Sequence, residues 1–121
     1  MIGIGLDAVD VARFRKVLER RPRLLERVFS AAEREHLAPR ADPVPGLAAR
    51  FAAKEAAMKA LGVGLGAFGL AEIEVLDLPS GAPTLVVSGR AAELARVLGV
   101  SSFAVSLTHT DLLAGAIVLA S

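Results

Sequence analysis

Alternation dominates the start of the chain. Ile2, Ile4, Leu6 and Ala8 fall on one side of an extended backbone, and Gly3, Gly5, Asp7 and Val9 on the other. Neither side is polar enough to face water, so Met1–Val11 is predicted to be a buried strand. Asp7 is the exception within it, a carboxylate either satisfied by backbone amides at the strand end or placed there for a ligand or metal.

The period then changes to that of helices. Asp10 is a candidate cap for a helix to about Arg21, with Val11, Phe14, Val17 and Leu18 on its inner face. Pro22 interrupts it, and Leu24, Leu25 and Val28 continue the apolar side. Ser30-Ala-Ala-Glu33 fits a capping box, predicting a short helix to about Leu37 on which Glu33, Glu35 and His36 are surface groups. Three prolines mark residues 38–46 as a loop. Leu47–Gly62 is the longest predicted helix, closed by Gly62 in a left-handed cap. At about 100° per residue, Leu47, Phe51 and Met58 form an apolar stripe. Arg50 and Lys54 edge it on one side, Glu55 and Lys59 on the other, and seven alanines cover the opposite half. A surface helix would carry a charged solvent face there. This helix is therefore predicted to be in contact on two sides, with Glu55 and Lys59 held at a seam.

Gly64–Gly69 matches G-x-G-x-x-G, but it follows a helix instead of opening one. A dinucleotide-binding fingerprint needs the reverse order, so the glycines are read as tight bends or points of close ligand approach. Leu70–Leu78 is predicted as a half-exposed strand with Ile73 and Val75 inward and Glu72 and Glu74 outward. Residues 79–83 are a turn and Thr84–Val87 a strand. Ser88 is the expected cap of a helix through Leu98, closed by Gly99, and Ser101–Thr108 and Leu112–Ala120 are two apolar strands. Strands grouped late among three to four helices indicate α+β architecture, an antiparallel sheet packed against the long central helix.

Composition narrows the possibilities. The 121 residues suit one domain, residues 1–121. A hydrophobic fraction of 54% and mean hydropathy of +0.54 are high for a monomer. No apolar run reaches the roughly 18 residues of a membrane span, so an apolar subunit interface is the better explanation. With no secretory signal and no cysteine, the cytoplasm is the expected location. Two histidines without cysteine exclude a closed structural zinc site and leave a hard, oxygen-ligated ion as the expected metal. Seven of the 14 basic residues lie between Arg13 and Arg27, against only Glu19 and Glu26, and that segment should attract an acidic partner.

Two constellations could carry chemistry. Ser106, His109 and Asp111 do not form a hydrolase triad, because Ser106 and His109 project from opposite faces of a strand and no nucleophile elbow is present. Asp7 and Glu55 supply two hard oxygen ligands, a set that suits Mg²⁺ when substrate phosphates and waters complete its shell, and Lys59 could meet a phosphate in the same seam. The plain alternative is a Glu55–Lys59 helix pair worth about 0.3 kcal/mol, and the residues alone leave both open.

Three motifs go further. Gly3-Ile4-Gly5-Leu6-Asp7, Arg50-Phe51-Ala52-Ala53-Lys54-Glu55-Ala56 with Lys59-Ala60-Leu61-Gly62, and Ser106-Leu107-Thr108-His109-Thr110 occur in the order and spacing of the holo-acyl-carrier-protein synthases. The chain resembles these small 4′-phosphopantetheinyl transferases over essentially its whole length. The resemblance implies transfer of phosphopantetheine from coenzyme A to a serine of an apo acyl carrier protein, releasing adenosine 3′,5′-bisphosphate. It implies Mg²⁺ on Asp7 and Glu55, and Lys59 near the phosphates. It further implies contacts to coenzyme A from Arg50, His109 and Thr110, with Gly64 and Pro83 among the binding positions. A homotrimer with active sites at subunit boundaries follows from it too, with the Arg13–Arg27 region facing the carrier protein. Leu6, Val63 and Thr108 depart from the usual Thr, Thr and Ser of the pattern, and the strand after His109 lacks the common aromatic. The rival from another class is a non-catalytic nucleotide- or nucleic-acid-binding module using the basic segment. A net charge of +1, the absence of Tyr and Trp for stacking, and the lack of a DNA-binding pattern count against it.

Overall fold

The computed structural model describes residues 2–121, so Met1 of the expected first strand lies outside the described residues. In chain order the elements are β1 (Gly3–Asp10), α1 (Val11–Arg20), α2 (Leu24–Val28), α3 (Ala31–Leu37), α4 (Val44–Leu61), a 3-10 turn (Leu70–Glu72), β2 (Ile73–Asp77), β3 (Pro83–Val87), α5 (Gly89–Val97), β4 (Phe103–His109) and β5 (Leu113–Ala120). The α+β class and the antiparallel pairing are as expected, but the strands divide between two ladders. β1, β5 and β4 form one in that order, and β2 and β3 form the other.

Helix α4 lies on the inner face of the three-stranded sheet. Its Ala52, Ala53, Ala56, Ala57 and Ala60 are all buried, and β1 meets them with glycine. A Cβ added at Gly3 or Gly5 would overlap the carbonyl oxygen of Ala60 or Ala56, so strand and helix backbones touch with no side chain between. α4 begins at Val44, inside the segment read as a loop, because Pro45 occupies its first turn, where a missing N–H breaks no helical bond. Gly62 closes it at φ 72, with Val63 N–H donating to Met58 O at 3.0 Å.

β1 is not buried on both faces within the protomer. Its inner residues Gly3, Gly5, Asp7 and Val9 face α4, whereas Ile2, Ile4 and Leu6 are 54%, 55% and 67% exposed. Ile117 of β5 lies beside Leu6 on this outer face and is exposed too.

Local signals were borne out at several positions. Arg13 N–H donates to the Asp10 carboxylate at 2.9 Å, capping α1. The Ser30 hydroxyl accepts from Glu33 N–H at 3.2 Å and the Glu33 carboxylate accepts from Ser30 N–H at 3.1 Å, completing the box. Two expectations are corrected. Glu33 is not a surface group but wholly buried, because Lys54 of α4 reaches it at 2.7 Å. Ser88 holds the N-cap position of α5 as expected, but its side chain makes no capping hydrogen bond. Glu72, in the 3-10 turn instead of a strand, supplies the carboxylate for the start of α5. It accepts from Arg90 and Ala91 N–H while its other oxygen accepts from Gly69 N–H at 2.7 Å. Among the described residues no helix is long and apolar enough to cross a membrane.

Gly5→Ala inserts a methyl group where only backbone fits. It is expected to destabilise the chain by about 3 kcal/mol, read as a lower denaturant midpoint with an unchanged slope.

Candidate active site

Asp7 projects from the inner face of β1, opposite Ala116 of β5, and Glu55 and Lys59 come from the flank of α4 that borders it. Asp7 and Glu55 both line an open cavity of about 730 Å³ whose walls are otherwise largely apolar, including Phe14, Val17, Phe51 and Leu65. Phe14 and Phe51 pack with ring centroids 5.2 Å apart. Lys59 does not pair with Glu55. Its ammonium crosses to β1, donating to Leu6 O at 2.9 Å and to Asp7 Oδ1 at 3.1 Å. Glu55 thus has no ion-pair partner among the described residues. Burial pushes its carboxyl pKa up, the Asp7 charge adds to that, and Lys59 opposes it. Two neighbouring carboxylates, one without a cation, are hard oxygen donors that a divalent ion can bridge. No group of three or more potential ligands exists among the described residues, so such an ion would need further oxygens from a substrate.

A second cavity, of about 320 Å³, is lined by Arg40, Arg50, Asp77, Gly81, Pro83 and His109 among others. Arg50 and Glu55 are five positions apart on α4, about 140° around the helix, which is why they serve different cavities. Arg50 is buried, 3.8 Å from Asp77 Oδ1, and its Nε has no hydrogen-bond partner. Burial lowers its pKa, with Asp77 and Glu33 opposing, and the guanidinium stays charged. Asp77 is in turn held 2.8 Å from His36 Nε2. His109 ends β4 opposite Ala114 and alternates to the other face from Ser106, so no serine–histidine dyad forms. The cavity carries more cationic than anionic groups and suits an anionic ligand.

Of the residues singled out from sequence, the structure thus gathers Asp7, Glu55 and Lys59 at one place and Arg50, Pro83 and His109 at another. Gly64 and Thr110 line neither cavity. The Thr110 hydroxyl accepts from Leu112 and Leu113 N–H at 3.1 Å each, ordering the β4–β5 turn. Arg40 and Asp77 were missed, one in a proline-rich loop and the other at a strand end. Only the placement of Arg50 could have pointed to them.

The family model described as the 4′-phosphopantetheinyl transferase superfamily matches residues 3–111. The chain belongs to this superfamily. It is an enzyme of the phosphopantetheinyl transferase class. It is 44% identical over 119 residues to the holo-[acyl-carrier-protein] synthase of Moorella thermoacetica, covering 98% of this chain and 93% of that protein. Its fold is similar to the solved holo-[acyl-carrier-protein] synthase of Neisseria meningitidis, with a TM-score of 0.90, 29% identity, and coverage of 100% and 99% of the two chains. The corresponding Helicobacter pylori protein, solved in complex with coenzyme A, matches with a TM-score of 0.82, 31% identity, and coverage of 98% and 99%.

A carboxyl group with a raised folded-state pKa binds its proton more readily folded than unfolded. Its contribution to stability therefore falls as pH rises from the unfolded value, about 4.3, through the raised folded value. Glu55→Gln removes that cost. It is expected to raise the melting temperature of the transferase by a few degrees at pH 8 in metal-free buffer and to give no gain below about pH 4, checked by thermal melts across the pH series.

Proposed function

We propose that this chain transfers the 4′-phosphopantetheine group of coenzyme A to a serine of an apo acyl carrier protein, in a Mg²⁺-dependent reaction that releases adenosine 3′,5′-bisphosphate. The observation that carries the proposal is the meeting of Asp7 from β1 and Glu55 from α4 at one cavity, in a chain of the phosphopantetheinyl transferase superfamily. The coenzyme A complex of the Helicobacter pylori relative supports the choice of donor.

Asp7 and Glu55 fit Mg²⁺ in donor chemistry: two oxygens, close enough for one charge to raise the pKa of the other group, and too few to complete a shell without phosphates. When bound there, Mg²⁺ would polarise a phosphoryl oxygen and offset negative charge building on the leaving side. Lys59 lies beside Asp7 with half its side chain in solvent, so its ammonium can turn from the Leu6 carbonyl to a phosphate oxygen and stabilise or protonate the departing nucleotide. The serine proton is assigned to Glu55 itself or to a water that the bound ion would hold beside it.

Arg50, with Pro83 and His109, is assigned the nucleotide end of coenzyme A; Thr110 follows His109 in the chain, and Gly64 is assigned to coenzyme A from the resemblance, outside this cavity of the protomer. Because this cluster and the carboxylate pair line separate cavities of one protomer, a complete site is assembled between copies, in a homotrimer. The exposed outer sheet face of Ile2, Ile4, Leu6 and Ile117 is apolar surface that such an assembly would cover.

The carrier protein is assigned to the basic segment. Arg15 is withdrawn from it by a two-pronged pair with Asp42 at 3.1 and 2.7 Å. Arg13, Lys16, Arg20, Arg21, Arg23 and Arg27 form no ion pair among the described residues, and Arg13 borders the carboxylate cavity.

Mass spectrometry of an apo carrier protein incubated with coenzyme A should show phosphopantetheine addition with Mg²⁺ and none after chelation. Asp7→Ala and Glu55→Ala should each lower transfer by about 10³-fold or more while the trimer persists by light scattering; unimpaired transfer in either variant would remove the metal site. Separately, Arg13→Glu and Arg20→Glu should raise the KM for carrier protein at least tenfold, increasingly so at low salt, and leave the KM for coenzyme A unchanged. A change confined to the coenzyme A KM would reverse that assignment.

A further inference from the structure

Glu33 and Lys54 are both shielded completely from solvent, and no step assigned to the site uses either. Lys54 donates to Glu33 Oε1 at 2.7 Å, to Leu70 O at 3.1 Å and to Ile73 O, so all three ammonium protons are engaged. Glu33 Oε1 also accepts from Ser30 N–H at 3.1 Å, and Oε2 accepts from Val75 N–H at 3.1 Å. The ammonium sits 5.4 Å from the ring centroid of Phe29. One ion pair therefore joins the start of α3, the middle of α4, the 3-10 turn and β2.

Burying such a pair is a poor way to gain stability, since desolvation offsets most of the attraction, and fixing registry is the better attested use. Toward the sheet, the other directional contact of helix α4 is Lys59, which reaches Leu6 O and Asp7 from a half-exposed side chain one turn beyond Glu55. The sheet-facing surface of the helix is alanine, and β1 answers with glycine, so the contact is smooth and offers few ridges to set rotation or axial position. The bonds of Lys54 are directional and do set both. Glu55 is the next residue, about 100° further round the helix, so the rotation fixed at Lys54 determines where the Glu55 carboxylate points.

We propose that Glu33 and Lys54 are positioning residues for Glu55, holding α4 at the rotation that brings its carboxylate to Asp7. This rests on the assignment of Glu55 as a ligand of the metal and phosphate site.

The test must separate positioning from stability. Lys54→Met alone leaves a buried carboxylate without its cation and is expected to unfold the chain. The informative variant is Glu33→Gln with Lys54→Met, which removes both charges together. It is expected to fold, with a melting temperature close to that of the unaltered protein. Mn²⁺ binding in the presence of coenzyme A, followed by electron paramagnetic resonance, should nonetheless weaken at least fivefold, and kcat should fall at least tenfold, with the carrier-protein KM within twofold. A folded double variant with unaltered Mn²⁺ affinity and kcat would overturn the proposal, because a purely stabilising pair is dispensable once both charges are gone. If the double variant does not fold, Lys54→Arg, which keeps the charge and moves its donors, is subject to the same two measurements and the same overturning result. Glu55→Gln serves as the control for the premise. If it keeps Mn²⁺ affinity and kcat, the metal assignment itself falls. If it loses both while the charge-free variant keeps them, only the positioning role falls.

Discussion

The contact on which the rest of the structure depends is backbone against backbone: β1 at Gly3 and Gly5 against α4 at Ala56 and Ala60. Glycine is required there because any Cβ would occupy the space of a helix carbonyl. Alanine on the other side permits the same approach without the conformational entropy that glycine would cost a helix. The closeness has a chemical consequence. Asp7 is two residues beyond Gly5 on the same face of β1, and Glu55 immediately precedes Ala56 on α4. The two carboxylates are near neighbours because nothing bulkier than a methyl group separates the elements that bear them.

That proximity sets how charge is treated inside the protein. At Glu33 and Lys54 every donor and acceptor is matched, solvent is absent, and the pair behaves as part of the frame. At the seam the matching is deliberately incomplete in structural terms. Lys59 serves Asp7 and a backbone carbonyl, and Glu55 is left with a raised proton affinity and, among the described residues, no ion-pair partner of its own. A fully satisfied carboxylate has little to offer a ligand. One held beside another carboxylate gains most when a cation and its phosphates arrive, and perturbed groups of this kind concentrate at functional sites.

Sequence made local features legible and left long-range partnerships obscure. Asp10, the Ser30–Glu33 box and Gly62 were readable because each is defined by residues within a few positions. The capping box also misled: it accounted for Glu33 with one backbone bond and gave no hint that its carboxylate also serves Lys54, 21 residues away, and Val75, 42 away. Ser88 takes the expected N-cap position, but the acceptor for the first amides of α5 comes from Glu72, distant in sequence. The alanine-backed helix did announce a buried element, and its lack of a charged face was the signal that Glu55 and Lys59 lie at a seam. What the pattern could not show was that Lys59 chooses Asp7 over Glu55, a matter of where β1 lies and not of helical spacing.

The two-residue period of β1 links assembly to the site. A strand that gives its inner positions to glycine, so that α4 can approach, has only its outer positions left for large apolar side chains, and Ile2, Ile4 and Leu6 occupy them. Shifting the register by one residue would bury those side chains, but it would drive α4 away from the sheet and turn Asp7 outward. The apolar outer face is thus the geometric complement of the close inner contact. In the proposed trimer the same alternation serves both ends, bringing the carboxylates together within one protomer and leaving an apolar face for neighbouring copies to cover.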